Sequence, residues 1–359
     1  MAEEQDDPPV IIGEEDLNRA TAEALVDTIK TSAEVHSFRR IATRFSKWEL
    51  PRSFVGYRAD PTIQTSGSAP KWVLKSRDGQ PQYIVKLPYR YGQRETLTEL
   101  LINQLGMAFG FDMAHSGLVS VDDNPAFVSR SFLTQRESLV HGVFLIEEVH
   151  QLPHGELEKL PRGRKEQEFY SIDFVIQNIE QFCGNDATTV ITKFVEMLLF
   201  DALIGATDRH AQNWGVIRAS TTQGGYRFSP IFDTSRGLFW NLADDKLQAF
   251  QKDEMALRCH MDRACPVMGP ERKVLKTSRC NHFAFIANLF AAFPHLTNDA
   301  VTKVTDVLCN IEEQTTTILS SFPFRGPFSK LRRELILKLI VLRADLVYEV
   351  LKRGEAKAL

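Results

Sequence analysis

The chain lacks any apolar run long enough to span a bilayer, and its first residues, Met1 to Asp7, are acidic where a secretory leader is basic and then apolar. Neither a membrane association nor export is expected. Cysteine is scarce: there are five, an odd number without a paired spacing, which argues against a disulfide scaffold and fits a reducing, cytoplasmic setting. Excess charge is missing as well. With 43 Lys and Arg against 46 Asp and Glu the net charge is −3, so there is no electrostatic case for nucleic acid, and the basic stretch from Lys159 to Lys165 reads as a solvated loop. Two nucleotide motifs are absent: the G-x-x-x-x-G-K-[ST] phosphate loop and the G-x-G-x-x-G loop of ordinary protein kinases. What remains is a globular composition, 43% hydrophobic and 25% charged over 359 residues, enough for two lobes.

One segment carries chemistry. Asp208 and Asn213 stand five positions apart, the interval between the catalytic Asp and the metal-binding Asn of a kinase catalytic loop, and Asp233 follows where a second metal ligand belongs. Phosphoryl transfer needs a carboxylate to take or orient the acceptor hydroxyl and oxygen ligands to hold Mg2+ against the phosphates of ATP. Asp208 suits the first task, Asn213 and Asp233 the second. The surroundings agree: Ile191, Phe194, Val195, Leu198, Leu199, Ala202 and Leu203 recur at helical spacing and predict a helix from Thr188 to Ala206, stopped near Gly205. Beyond the loop, residues 214–217 and 226–228 flank Gly224 and Gly225 as a hairpin that delivers Ile231, Phe232 and Asp233 to the same edge.

Upstream, a small-residue turn from Thr65 to Lys71, with Ser66, Gly67 and Ser68 at its centre, leads into a strand, and Asp78–Gly79 turns the chain back into Tyr83, Ile84, Val85 and Lys86. A lysine at that strand end can reach the α- and β-phosphates of a nucleotide. Glu95, on a helix running from about Arg94 to Leu105, is positioned to hold it as an ion pair, with Glu99 one turn later as the alternative.

Thr207 to Gly215 together with Ile231 to Gly237 resemble the catalytic and metal-binding motifs of HipA-like serine/threonine kinases. Val85–Lys86–Leu87–Pro88, Glu95 ahead of Leu105–Gly106–Met107, and Ser66 to Lys71 resemble that family's ATP lysine, helix glutamate and glycine loop, and Arg332 to Ala344 its closing helix. The resemblance runs from about residue 60 to 350. It implies an α+β, two-lobed protein-kinase-like fold with a small β-rich N-lobe and a mainly α-helical C-lobe. It further implies Asp208 as the catalytic residue, Asn213 and Asp233 as Mg2+ ligands, and Lys86, Glu95, Ser66, Gly67, Ser68 and His210 around ATP. The acceptor would be Ser or Thr of a protein, with autophosphorylation at Thr65, Ser66 or Ser68. Residues 128–132 fall at the family's adenine hinge, without the acidic residue often found there. Many members are toxins bound by a helix-turn-helix antitoxin.

Only about 60 residues precede the glycine loop, fewer than the extra N-terminal subdomain of full-length toxins needs. Residues 1–13 read as a loose acidic tail, 14–132 as a helical extension plus the nucleotide lobe, and 133–359 as the helical catalytic lobe. Within the extension, Leu17, Ala20, Ala24, Leu25 and Ile29 suggest one or two helices over residues 14–46. A lipid or small-molecule kinase of phosphoinositide-kinase-like fold and a nucleotide-binding pseudokinase are the competing functions. Cys259, His260, Cys265, Cys280 and His282 include zinc-ligand types but no C-x-x-C spacing, so ordinary thiols are the expected reading. Phe283, Phe285, Leu289, Phe290 and Phe293 read as core.

Overall fold

The computed structural model describes residues 39–41, 54, 57–59, 71–75, 82–121, 124–160, 169–220, 225–271 and 280–358. The first half forms an antiparallel sheet of six strands: β1 (Arg39–Ile41), β2 (Arg58–Ala59), β3 (Lys71–Lys75), β4 (Tyr83–Lys86), β5 (Ser116–Val121) and β6 (Asn124–Arg130), in the order β1-β5-β6-β4-β3-β2. Alternation along these strands sorts side chains into two layers. Val119, Val121, Ala126 and Val128 join Leu74, Tyr83, Val85 and Phe54 in a small core of the lobe's own. Leu118 and Phe127, next to them in sequence, point to the opposite face and enter the main core with Leu97, Leu101 and Leu105. Those leucines belong to α1 (Gln93–Ala108), which is buried on every side from Thr96 to Gly106 because it lies between the sheet and the helices that follow.

The second half contains α2 (Gly142–Val149), α3 (Glu156–Lys159), α4 (Ile172–Cys183), α5 (Ala187–Ile204), α6 (Asp244–Lys252), α7 (Glu254–Arg263), α8 (His282–Ala292), α9 (Thr297–Leu319) and α10 (Lys330–Ala358). A small antiparallel sheet, β7 (Glu137–His141), β8 (Gly215–Ala219) and β9 (Tyr226–Phe228), packs among them. The centre is α5, which touches α4, α8, α9 and α10 and is buried without a break from Met197 to Ile204. It ends where Gly205 takes φ +66°, the left-handed conformation that glycine adopts without a Cβ penalty. The helix expected from Thr188 to Ala206 is thus present, as are the hairpin after the loop and the expected phenylalanine core of α8. The whole is the expected α+β arrangement of a small β-rich lobe and a helical lobe.

One expectation changes. Arg39–Ile41, inside the stretch read as helical, is a strand, because the outer edge of β5 has unpaired amides and carbonyls that β1 satisfies in register Arg39↔Ser120 to Ile41↔Leu118. The remainder of residues 14–46 lies outside the described residues. Among the described residues no helix is long and apolar enough to cross a membrane.

Behind the end of α5, the ring of His282 places Nε2 2.7 Å from the carbonyl oxygen of Ala206. Burial, and then the charge of Arg343, pull this histidine down to about 3. The unfolded chain takes up a proton near pH 6.5 while the folded chain stays neutral, so stability must fall with pH between those values, by about 1.4 kcal/mol per pH unit for this one group. Urea denaturation of wild type and His282→Gln from pH 8 to pH 5 should show the steeper acid loss in wild type. Parallel curves would remove His282 as the cause.

Candidate active site

The loop after α5 is held in place by one side chain. Arg209 is 4% exposed and forms a two-point pair with Asp201 of α5, Nε to Oδ2 at 2.8 Å and Nη2 to Oδ1 at 2.9 Å. Its Nη1 donates to the carbonyls of Asn213 at 2.7 Å and Phe232 at 2.8 Å. Burial opposes the positive charge, but Asp201 outweighs it and keeps the guanidinium firmly protonated. One cation therefore joins the helix, the loop and the segment that carries Asp233. The loop backbone has further anchors: Tyr170 donates from its hydroxyl to the Arg209 carbonyl, Trp214 donates from Nε1 to that same hydroxyl, and His141 Nδ1 sits 2.7 Å from the Gln212 carbonyl. Asn213 donates from Nδ2 to the Asp208 carbonyl at 2.8 Å, which fixes the amide plane and leaves Oδ1 as its acceptor. The His210 amide donates to the same carbonyl at 2.9 Å, which places its imidazole near Asp233. Asp208 itself has Oδ2 3.2 Å from Nε of Arg236.

Asp233 comes from the other side. Ile231 pairs with the segment after α1, its amide donating to Asp112 and its carbonyl accepting from Ala114, so the chain then delivers Asp233 toward α1 and β4. Asp233 takes φ +53°, a conformation uncommon outside glycine. Lys86 Nζ lies 2.8 Å from its Oδ1 and 2.6 Å from Oε1 of Glu99. Burial would lower the lysine, yet the two carboxylates outweigh that and hold it above its ordinary range. Burial likewise raises Asp233, and Lys86 with Lys71 overturns this and pushes it below the ordinary carboxylate range. Burial pushes Glu99 up, against the pull of Lys86.

The structure brings Lys86 and Asp233 into contact, and Arg209 ties the carbonyl of Asn213 to that of Phe232 next to Asp233, so Asp208, His210, Asn213, Lys86 and Asp233 form one locality. Glu95 is corrected: Lys86 pairs with Glu99. Because α1 starts at Gln93, directly after Gly92 at φ +57°, Glu95 falls in its first turn and accepts from the backbone of Tyr91 and Arg90 instead. Its Oε2 is buried without a hydrogen-bond partner, and burial raises its pKa. Ser66, Gly67 and Ser68, with Thr65, lie outside the described residues.

Two residues went unassigned by the sequence reading. Lys71 pairs in register with Lys86 across β3 and β4, and its Nζ is 3.9 Å from Asp233 Oδ2. Burial first, and Lys86 beside it, lower its pKa, with Asp233 opposing. Hairpin arithmetic held the signal, since strands paired Leu74 to Tyr83 must oppose Lys71 to Lys86. Phe232 is the other: its ring stands 5.7 Å from Phe132 and 6.0 Å from His141, an apolar wall beside the 128–132 segment. The cysteine and histidine cluster does not converge on a metal site. His260 stacks on Phe239 and His282 bonds to Ala206, and among the described residues no group of three or more His, Cys, Asp or Glu side chains can hold a metal ion. For a hard divalent cation, the Asn213 amide oxygen and the Asp233 carboxylate are a fitting donor pair, to be completed by phosphate oxygens and water.

Removing Asp201 leaves a buried guanidinium uncompensated, so Asp201→Ala should cost about 3–5 kcal/mol in chemical denaturation. By contrast Glu148→Ala, which breaks the exposed pair to Arg218, should cost under about 1 kcal/mol. Equal losses would show that Arg209 does not organise the loop.

No curated protein matches the sequence. Among solved structures, the Helicobacter pylori proinflammatory kinase CtkA superposes with a TM-score of 0.62 at 18% identity, covering 84% of this chain and 97% of that one. HipA of Shewanella oneidensis MR-1, solved in a toxin–antitoxin complex with HipB and operator DNA, gives 0.51 at 13% identity over 91% of this chain and 72% of that one. These likenesses establish the two-lobed kinase fold. The sequence model of the HipA-like C-terminal domain matches residues 63–311, well over half of the chain. By that match, the chain belongs to the HipA-like C-terminal domain family.

Proposed function

We propose that the chain is an ATP- and Mg2+-dependent kinase that transfers the γ-phosphoryl group to Ser or Thr of a protein. The observation that carries this reading is the convergence of Lys86, Glu99 and Asp233 beside a loop in which Arg209 holds the Asn213 backbone and the Asn213 amide in turn holds the Asp208 carbonyl. In the transfer, the bond from the γ-phosphorus to the bridging oxygen breaks, ADP leaves, and the acceptor oxygen bonds to phosphorus while its proton passes toward Asp208. Asn213 and Asp233 would hold Mg2+, which supplies charge neutralisation on the phosphates. Lys86, kept cationic by Glu99 and Asp233, and Lys71 beside it would meet the phosphate oxygens, and the Phe132 and Phe232 rings would flank the base. His210 would support the charge of Asp233, and Ser66, Gly67 and Ser68 would close over the nucleotide, with Thr65, Ser66 or Ser68 taking phosphate in autophosphorylation.

A helix-turn-helix partner is a further proposal, supported by the HipA neighbour having been solved with HipB. Mixing this chain with a candidate partner and measuring complex formation by size-exclusion chromatography tests it.

Incubation with labelled ATP and Mg2+, followed by intact-mass analysis and peptide mapping, tests the kinase reading. Asp208→Ala should slow transfer by about 10²-fold or more while leaving the melting temperature in place, because its side chain is part-exposed in a loop. Asp233→Ala should weaken Mg-dependent ATP binding in calorimetry, and Lys86→Ala should depress the rate more than the fold. Equal phosphate incorporation by wild type and Asp208→Ala would sink the assignment.

A further inference from the structure

Two sets of cations meet the acidic residues of the site. Lys71 and Lys86 converge on Asp233, where a nucleotide's phosphates belong, whereas Arg236 converges on Asp208, where the acceptor hydroxyl belongs. Arg236 is a built feature. Its carbonyl accepts from the amide of Thr207 at 3.0 Å and from the Thr207 hydroxyl at 3.3 Å, which ties its backbone to the root of the catalytic loop. Its guanidinium lies over the ring of Trp240 at 5.4 Å, and that ring meets Tyr91 edge-on at 4.9 Å, so the small lobe helps to hold it. The side chains of Arg236 and Asp208 are 37% and 30% exposed, which puts their pair at the mouth of the site and not in its floor.

This pair poses a chemical conflict that rests on the proposed kinase activity. An acceptor hydroxyl must reach the Asp208 carboxylate, and Arg236 occupies one of its oxygens. In water the contact is weak, and a guanidinium presents a fork of donors that matches any carboxylate. An acceptor that brings its own carboxylate can therefore take Arg236 away from Oδ2 of Asp208. Nearby charges favour the same ligand. Arg90, exposed beside Tyr91, and Arg94, in the first turn of α1, add positive charge along the lobe boundary, while Asp244 is already taken by Arg332 at 2.6 Å. Glu95, the other carboxyl that feels Arg236, is part-buried in the first turn of α1.

We infer that Arg236 is a specificity-determining residue that selects an acidic acceptor segment, a Ser or Thr flanked by Glu or Asp, by exchanging its Asp208 partner for a substrate carboxylate.

The test uses the full chain with ATP, Mg2+ and three peptide pools built around a central Ser, identical except that the two residues on each side are Glu, Gln or Lys. Initial rates give kcat/KM for each pool. Wild type should favour the Glu pool over the Gln pool by about tenfold, the size of one charge-assisted contact. In Arg236→Gln that ratio should approach one with the KM for ATP unmoved, and Arg236→Glu should turn the preference toward the Lys pool. A loss confined to overall stability would lower all pools together and leave the ratio intact, which overturns the inference. So does a wild type that phosphorylates the Glu and Gln pools equally, and in that case the kinase reading stands. If wild type transfers phosphate neither to any pool nor to itself, the kinase reading falls and this inference with it.

Discussion

The buried pair of Arg209 and Asp201 is the constraint from which the rest of the site follows. A guanidinium taken out of water is tolerable only with its charge matched and its donors used, and here both conditions are met by groups of the central helix, the Asp208 loop and the segment that carries Asp233. Asp201 is on the rigid central helix, so the reference frame is the best-buried element of the fold. The Asn213 and Phe232 carbonyls belong to the two segments that bring Asn213 and Asp233 together. Substituting a neutral side chain of similar volume could preserve packing, but no apolar residue would fasten two separate backbone segments to one helix. The ion pair therefore contributes geometry more than net stability.

Around this frame, the polar groups of the site balance one another in a way that a nucleotide would disturb productively. Lys86 is shared between Glu99 and Asp233, and Lys71 leans on the same Asp233 from the paired strand. Glu99 is the more deeply buried carboxylate and is held by α1, so it can keep Lys86 oriented when Asp233 turns to another partner. Asp233 is the more exposed member, with 28% of its side chain accessible, and its charge form is secured well below neutrality. A cation bound there meets an already ionised ligand, so no proton needs to leave on binding. Lys71 has the opposite character: desolvated and beside another lysine, it gains most from anionic oxygens placed between the two strands.

How much of this could be read from the sequence depended on how local each relation is. The spacing of Asp208 and Asn213, the helix that ends at Gly205 and the hairpin after the loop are set by neighbours in the chain, and all three were legible. Lys86 was legible as a strand-end lysine. Its partner was not settled, because Glu95 and Glu99 differ by one helical turn, about 5.4 Å, and the choice turns on where α1 begins relative to the end of β4. Gly92 decides it by starting the helix so that Glu95 folds back on its own first turn. Non-local relations were silent. The hold of Arg209 on Phe232, the contact between Arg236 and Asp208, and the pairing of β1 with β5 join residues whose separation in the chain gives no periodic signal. Apolar spacing suited a helix near β1, but an open sheet edge offered Arg39–Ile41 a full set of backbone partners.

The same loop is supported from behind by a less usual device. Arg343 of α10 is 1% exposed, and among the described residues no carboxylate bonds to it; it donates from Nε to the Ala202 carbonyl at 2.7 Å and from Nη1 to that of Met261 at 3.2 Å. Burial lowers it to about 9, with Asp262 opposing, so the guanidinium remains charged at neutral pH. Its counter-charge is the negative end of α5, whose last carbonyls lack helical partners. His282 completes the set by bonding to Ala206, and burial first, with the charge of Arg343 beside it, keeps it neutral there. Gly205 is required between them on two grounds: its φ of +66° is left-handed, and a Cβ would come within 3.1 Å of the Arg343 guanidinium carbon. The closing helix is thus tied to the point where the Asp208 loop starts, so displacement of α10 would reach Asp208 through the backbone of Gly205, Ala206 and Thr207 without touching Lys71, Lys86 or Asp233.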